Sequence, residues 1–210
     1  VHKLSKERLL DELKKTLKFD VLEKLNKDKL SLELIMIVFP ELRHLKNFSK
    51  LNTTQRDLIK NIDFILLLSL LIIDETDNAD YFLYKFNVSK KDQNRIKIIN
   101  EFFKDNINSK TFSEENMNKF FYYKGRQPTI DILKFKIIRS KKMDKNLLNL
   151  IKLYENKIMP TMPVKAQEIM SKYKIPEGKQ LGSKLKLIEE EWVNNNFRIS
   201  DQQVDNIVKN

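Results

Sequence analysis

Ser5-Lys-Glu-Arg-Leu-Leu-Asp-Glu-Leu-Lys-Lys-Thr-Leu17 reads as a helix from its first residue. Ser5 is a good N-cap, Glu7 sits in the first turn, and Leu9, Leu10, Leu13 and Leu17 form an apolar stripe at helical spacing. The same signals repeat outward along the chain. Val21, Leu22, Leu25 and Leu30 predict a short second element. Ser31 can cap a third, Leu32 to Phe39, which Pro40 stops. Thr53 or Thr54 caps one long helix through Leu58, Ile62, Ile65, Leu66 and Ile73. The acidic run Asp74-Glu-Thr-Asp-Asn-Ala-Asp80 reads as a loop. Ser89 caps a helix over Asp92 to Ile107, and Ser113 with Glu114 and Glu115 opens one rich in aromatic residues. Lys124-Gly-Arg-Gln-Pro128 reads as a turn, after which Thr129 and Asp144 each start a helix. Val164 to Tyr173 is helical, and a last strong helix runs from Gly178 or Lys179 to Asn195.

Composition supports an all-α fold. The 210 residues include 3 Gly and 5 Pro, too few turn residues for a sandwich, a barrel, or a Rossmann or P-loop fold. With 41% hydrophobic residues the chain can bury a real core. Three of the prolines and two of the glycines fall between Pro160 and Gly182. That change of texture places a domain boundary near residue 158. The expected array is residues 1–48 as a neck-like part, 49–158 as a body and 159–210 as a tail. No internal repeat is visible, so a helical-repeat array is not indicated.

Much chemistry is excluded. The chain has no cysteine, so disulfides, thiolate metal sites and Cys nucleophiles are ruled out. The two histidines, His2 and His44, do not precede an Asp and cannot build a His₃ zinc site. No P-loop, G-x-S-x-G or G-x-G-x-x-G is present. Asp74, Glu75, Asp77 and Asp80 lack calcium-loop spacing. No catalytic residue, metal site or cofactor is therefore assigned to this chain. Phe64 to Ile73 is too short for a bilayer span, which takes about 20 apolar residues, and reads as a buried core helix. No signal peptide precedes the first helix, so the chain reads as cytoplasmic with no membrane partner. Its first residue is Val1 and not Met, which suggests a fragment or an unusual start.

The net charge is +11, and it is unevenly spread. Residues 124–190 hold 16 Lys and Arg against 7 Asp and Glu, or +9. The remaining residues hold 24 and 22, or +2. Segregated positive charge is the footprint of a polyanion partner. Lys-rich codon drift explains the global excess better than the local asymmetry. A membrane surface fits less well, because Glu189, Glu190 and Glu191 precede Trp192 and would be repelled by an anionic bilayer. Within the basic segment Arg occurs only at positions 126 and 139. Lysines contact phosphate and read shape, which suits structured RNA better than base-reading on duplex DNA.

Three segments carry a family resemblance. Ser5, Glu7, Arg8, Glu12, Lys15 and Leu17 match the neck-helix pattern Ser-x-Glu-Arg-Ile-x-x-Glu-x-x-Lys-x-Leu of bacterial tRNA nucleotidyltransferases (CCA-adding enzymes) and poly(A) polymerases. Phe39-Pro-Glu-Leu42 is similar to the Pro-Glu-Leu that closes that neck. Met162-Pro-Val-Lys-Ala-Gln-Glu-Ile-Met170, then Ile175-Pro-Glu-Gly-Lys-Gln-Leu-Gly-Ser-Lys-Leu-Lys186 and Trp192, resembles the family's tail. Ala166 stands where Gly is usual and Glu168 where Asp is usual. The resemblance implies neck, body and tail without the catalytic α/β head, whose paired carboxylates hold Mg²⁺ and act on CTP or ATP. That head would belong to a longer parent chain or a separate polypeptide, or be lacking altogether, and this part would be inactive alone.

The resemblance implies a nucleotide-pocket support role for Ser5, Glu7, Arg8 and Glu12, and tRNA as the partner, gripped at the acceptor arm and elbow. From the residues themselves, Arg8 and Glu12 also read as an ordinary i,i+4 pair. Expected phosphate contacts are Lys124, Arg126, Arg139, Lys141 and Lys142 around the body turn, and Lys165, Lys179, Lys184 and Lys186 in the tail. Backbone N–H groups from Gly178 to Gly182 can receive a phosphate at the helix start. The rival reading is a helical protein-binding adapter with no RNA role.

Overall fold

The computed structural model describes residues 5–25, 27–104, 110–142 and 144–209, which form helices and no strand. The chain divides into two compact units. One joins Val1–Asn108 to Gln127–Glu155, and the other joins Ser109–Arg126 to Asn156–Asn210.

The first unit opens with α1 (Lys6–Thr16), whose N-cap Ser5 accepts the Arg8 N–H at 3.2 Å. It buries Leu13 and is followed by α2 (Phe19–Leu25) and α3 (Lys29–Val38). Asp28 caps α3, not Ser31 as expected. Its carboxylate accepts the N–H groups of Leu30 and Ser31 at 3.1 and 3.3 Å and also takes the Ser31 hydroxyl. The helix therefore starts earlier, and a carboxylate at its head also suits the positive helix end.

A short 3-10 stretch, Leu45–Lys50, leads into α4 (Thr53–Lys60) and α5 (Phe64–Ile72). These replace the one long helix expected from Thr53 to Ile73. Asn61 ends α4, and Asp63 restarts the chain by accepting the Leu66 N–H at 3.0 Å. The cap of α4 is Asn52, in a reciprocal pair with Gln55. Helix α5 is buried on every side from Ile65 to Ile72, and it packs against α6 (Asn78–Lys85) and α7 (Lys90–Lys104).

Helix α6 corrects the loop expected through Asp80. Buried Asn78 donates to the carbonyls of Glu41 and Ile72, at 2.9 and 2.7 Å, which fixes the helix start. Ser89 caps α7 as expected, bonding the Asp92 N–H, while residues 105–107 of that expectation lie outside the described residues. After α8 (Glu114–Lys124), Gly125 stands at φ +86° as its C-cap. There the expected turn through Pro128 is absent, because α9 (Arg126–Arg139) begins at once. Pro128 falls in its first turn, where a missing N–H breaks no helix bond. Helix α9 buries Ile130 to Leu133, Phe135, Ile137 and Ile138, and α10 (Lys145–Asn156) completes this unit.

Within that core, Arg95 on α7 donates from Nε and Nη2 to both oxygens of buried Asp131, at 2.6 and 2.9 Å. Its Nη1 donates to Asp63 at 2.6 Å. One side chain thus ties the heads of α5 and α9 to α7.

The second unit contains α8, α11 (Ala166–Tyr173), α12 (Lys179–Asn194) and α13 (Asp201–Lys209). Ile169, Leu181, Ile188, Val204 and Val208 form one cluster. Trp192 is buried edge-on to Tyr122 and Phe197, with ring centres 5.4 and 5.0 Å apart. The Tyr122 hydroxyl donates to Glu189 at 2.5 Å. Burial, then that carboxylate, pushes the phenol up to about 12. Helix α13 has no counterpart among the expected elements. Its apolar face is Val204, Ile207 and Val208, a pattern of only three residues.

Candidate nucleic-acid interface

The expected site residues separate into the two units. Ser5, Glu7, Arg8, Glu12, Arg139, Lys141 and Lys142 belong to the first, and Lys124, Arg126, Lys165, Gly178, Lys179, Gly182, Lys184 and Lys186 to the second. The basic body turn is not one patch. Arg126 and Arg139 are the two ends of α9, a 14-residue helix, about 20 Å apart at the helical rise.

On α1, Glu7 accepts from the Asn87 amide at 3.3 Å and lines a cavity of about 290 Å³ with Asp11, Lys14 and Asp92. Arg8 and Glu12 are not among that cavity's lining. Glu12 pairs with Lys15 at 2.9 Å, not with Arg8. Three carboxylates and one lysine make a poor surface for a nucleotide phosphate.

In the second unit, Gly178 at φ +150° precedes α12, and a Cβ there would meet nothing within 4 Å. The Gly182 N–H already donates to the Gly178 carbonyl at 3.0 Å, so it is not free for phosphate. The N–H groups open to a ligand are those of the first helical turn. Lys184 is spent on the Ile207 carbonyl at 3.0 Å, and Lys186 lies 3.8 Å from Glu190. Arg126 donates to the Lys157 carbonyl at 2.9 Å. Lys124, Lys165 and Lys179 are exposed, and among the described residues no carboxylate pairs with them.

The first unit holds a different kind of site. Arg139 at the end of α9 donates to the Ile73 carbonyl at 2.5 Å and to the His44 ring at 2.9 Å, with its guanidinium 5.3 Å from the Phe135 ring centre. Burial pulls its pKa below that of a free guanidinium, a shift that Glu75 and Asp74 partly offset. Asp74 is itself bonded to Arg43 at 2.5 Å. His44 is held below the usual imidazole pKa by burial and then by the Arg139 charge, so at neutral pH it is a neutral acceptor. Beside them lies a cavity of about 470 Å³, lined by Arg139, Ser140, Lys141, Lys50, Asn47 and Asn52 over a floor that includes Phe48, Leu70 and Ile138.

Of these, only Arg139 and Lys141 are legible as site candidates in the sequence. Lys50 lies outside the basic segment, and His44 and Asn47 carry no local signal. Gln55 joins the two stretches, donating to the carbonyls of Ile137, Ile138 and Ser140 at 3.0, 3.1 and 2.8 Å across more than 80 positions. Pairing at that distance leaves no periodicity to read.

Among the described residues no group of three or more His, Asp or Glu could hold a metal ion. No helix of the described residues is long and apolar enough to cross a membrane. No protein-family model matches the chain, and no curated protein matches it in sequence.

Proposed function

We propose that this chain binds structured RNA, with tRNA as the partner, as the neck, body and tail of a tRNA nucleotidyltransferase or poly(A) polymerase-type protein. It grips the acceptor arm and elbow while a head outside this chain adds nucleotides to the 3′ end. The observation that carries the reading is the set of exposed lysines in the basic segment that have no carboxylate partner among the described residues. Lys141 and Lys142 supply it in one unit and Lys124, Lys165 and Lys179 in the other. Cations that the fold leaves uncompensated are free to displace counterions from a polyanion. The tail motifs add support, because Glu168 accepts the Lys165 N–H and Gly178 opens the head of α12.

The test is tRNA affinity measured against salt. Changing Lys141, Lys142, Lys165 and Lys179 to Ala should weaken binding alike for different tRNAs. The log–log salt slope should flatten by roughly 0.7 to 0.9 for each lysine–phosphate pair removed. An unchanged slope sinks the reading. The adapter reading then leads, on one observation of its own. Leu30, Leu34 and Ile37 lie on one face of α3 and are 68%, 56% and 76% exposed, an i, i+4, i+7 apolar stripe of the kind that docks in a partner's groove.

A further inference from the structure

We infer that the cavity beside Arg139 is a phosphate site, sized for one nucleotide unit. A phosphate would sit among Arg139, Lys141 and Lys50, and the attached organic body would lie on the apolar floor. The inference rests on the RNA-binding reading only for the phosphate's carrier, since an RNA backbone and a free nucleotide present the same chemistry.

Among the described residues, three cations line the cavity and no carboxylate does. Arg139 is fixed in place, yet both its partners are neutral: the Ile73 carbonyl and the His44 imidazole. A guanidinium keeps its charge at neutral pH even when burial disfavours it. An exposed cation whose bonded partners are neutral is open to any anion that reaches the cavity. Asp74 is taken by Arg43, and Glu75, whose charge acts on Arg139 more than that of Asp74, does not line the cavity.

Shape and polarity point the same way. The end of a helix carries partial negative charge that would repel an anion. Here the buried Gln55 amide donates to the carbonyls of Ile137 and Ile138 in the last turn of α9 and of Ser140 just beyond it. Ser140 adds a hydroxyl beside Arg139, and Asn47 an amide. A volume of about 470 Å³ lies in the range of small-ligand pockets, larger than a bare phosphate needs. Phe48, Leu70 and Ile138 give the remainder of the space an apolar wall.

The experiment titrates the full chain with inorganic phosphate, AMP, adenosine and tRNA. The Ser140 and Lys141 amides and the His44 ring are followed by NMR. Phosphate and AMP should move these signals, AMP binding the more tightly, and adenosine should not. Lys50→Ala and Lys141→Ala should each weaken AMP about two- to fivefold, as for a partly exposed charge pair. Lys91→Ala, an exposed lysine on α7 that does not line the cavity, should leave AMP affinity unchanged. Arg139→Gln should weaken it about tenfold or more, and the two lysine variants carry the test if that one misfolds. If tRNA displaces AMP, the carrier is the RNA backbone. If it does not, the pocket takes a free nucleotide, and the site stands in both cases. Unmoved signals with both phosphate and AMP overturn the site. Should tRNA still bind with a steep salt slope in that case, the RNA reading survives without it.

Discussion

Two arginines in the first unit meet opposite fates. Arg95 is bonded to two carboxylates, Asp131 through two parallel bonds and Asp63 through a third. Burial pulls its pKa down, but Asp131 and Asp63 outweigh it, and the net shift is upward. Arg139 is bonded to a carbonyl and a neutral ring, and its net shift is downward. Arg95 is partly buried within α7, and Arg139 is exposed at the end of α9. The difference shows which is finished by the fold. Arg95 has its anions inside the protein and serves packing, whereas Arg139 faces a cavity with none in the lining.

The largest effect should come from breaking the finished site. Asp131 is buried, and Gln127 also donates to it at 2.9 Å. Asp131→Ala strands Arg95 beside a single remaining carboxylate and should cost about 3 to 5 kcal/mol in urea unfolding. A loss below about 1 kcal/mol would mean that the two arginines are not different in kind.

Arg139→Gln sharpens the contrast from the other side. No carboxylate is left unpaired by the change, and the Ile73 carbonyl loses one donor that the glutamine amide can partly replace. The expected loss is about 1 kcal/mol, that of a single hydrogen bond. A loss as large as that of Asp131→Ala would make Arg139 a structural residue like Arg95 and leave Lys50→Ala and Lys141→Ala to decide the ligand.

Much of this fold is legible in sequence because its signals are local. Ser5, Ser89 and Ser113 cap helices within three residues of themselves, and each cap stands where the sequence puts it. The break between α4 and α5 is not legible, because Ile62, Ile65, Leu66 and Ile73 keep helical spacing across it. Only the Asp63 side chain, turning back to the Leu66 N–H, shows that the helix restarts. Helix α6 is hidden by the acidic residues that surround its first turn. Its start depends on Asn78 reaching the carbonyl of Glu41, 37 positions away. The candidate site divides the same way. Arg139 and Lys141 stand out by local charge, while Lys50, His44 and Asn47 come to them only through the fold. Net charge also overstates the tail, since Lys184 and Lys186 count in the sum but are partnered within their own unit.

The smallest effect is the most specific. The titratable groups bearing on His44 are Arg139, Arg43 and Asp74. Burial and the Arg139 charge hold its folded pKa below the unfolded value, about 6.5. Between the folded pKa and about pH 6.5 the unfolded chain binds the extra proton, so stability is fully present above that range and is lost as pH falls through it. Protonation also removes the ring's acceptor for Arg139 and sets two cations side by side. Phosphate bound beside Arg139 should reverse part of the shift, because an anion favours the imidazolium. NMR titration of the His44 ring with and without phosphate reads this directly. An upward move with phosphate, needing more phosphate in Lys141→Ala, would tie the anion to the Arg139 side. A His44 that titrates at the ordinary value would mean that the ring is open to solvent and that Arg139 is not held as described.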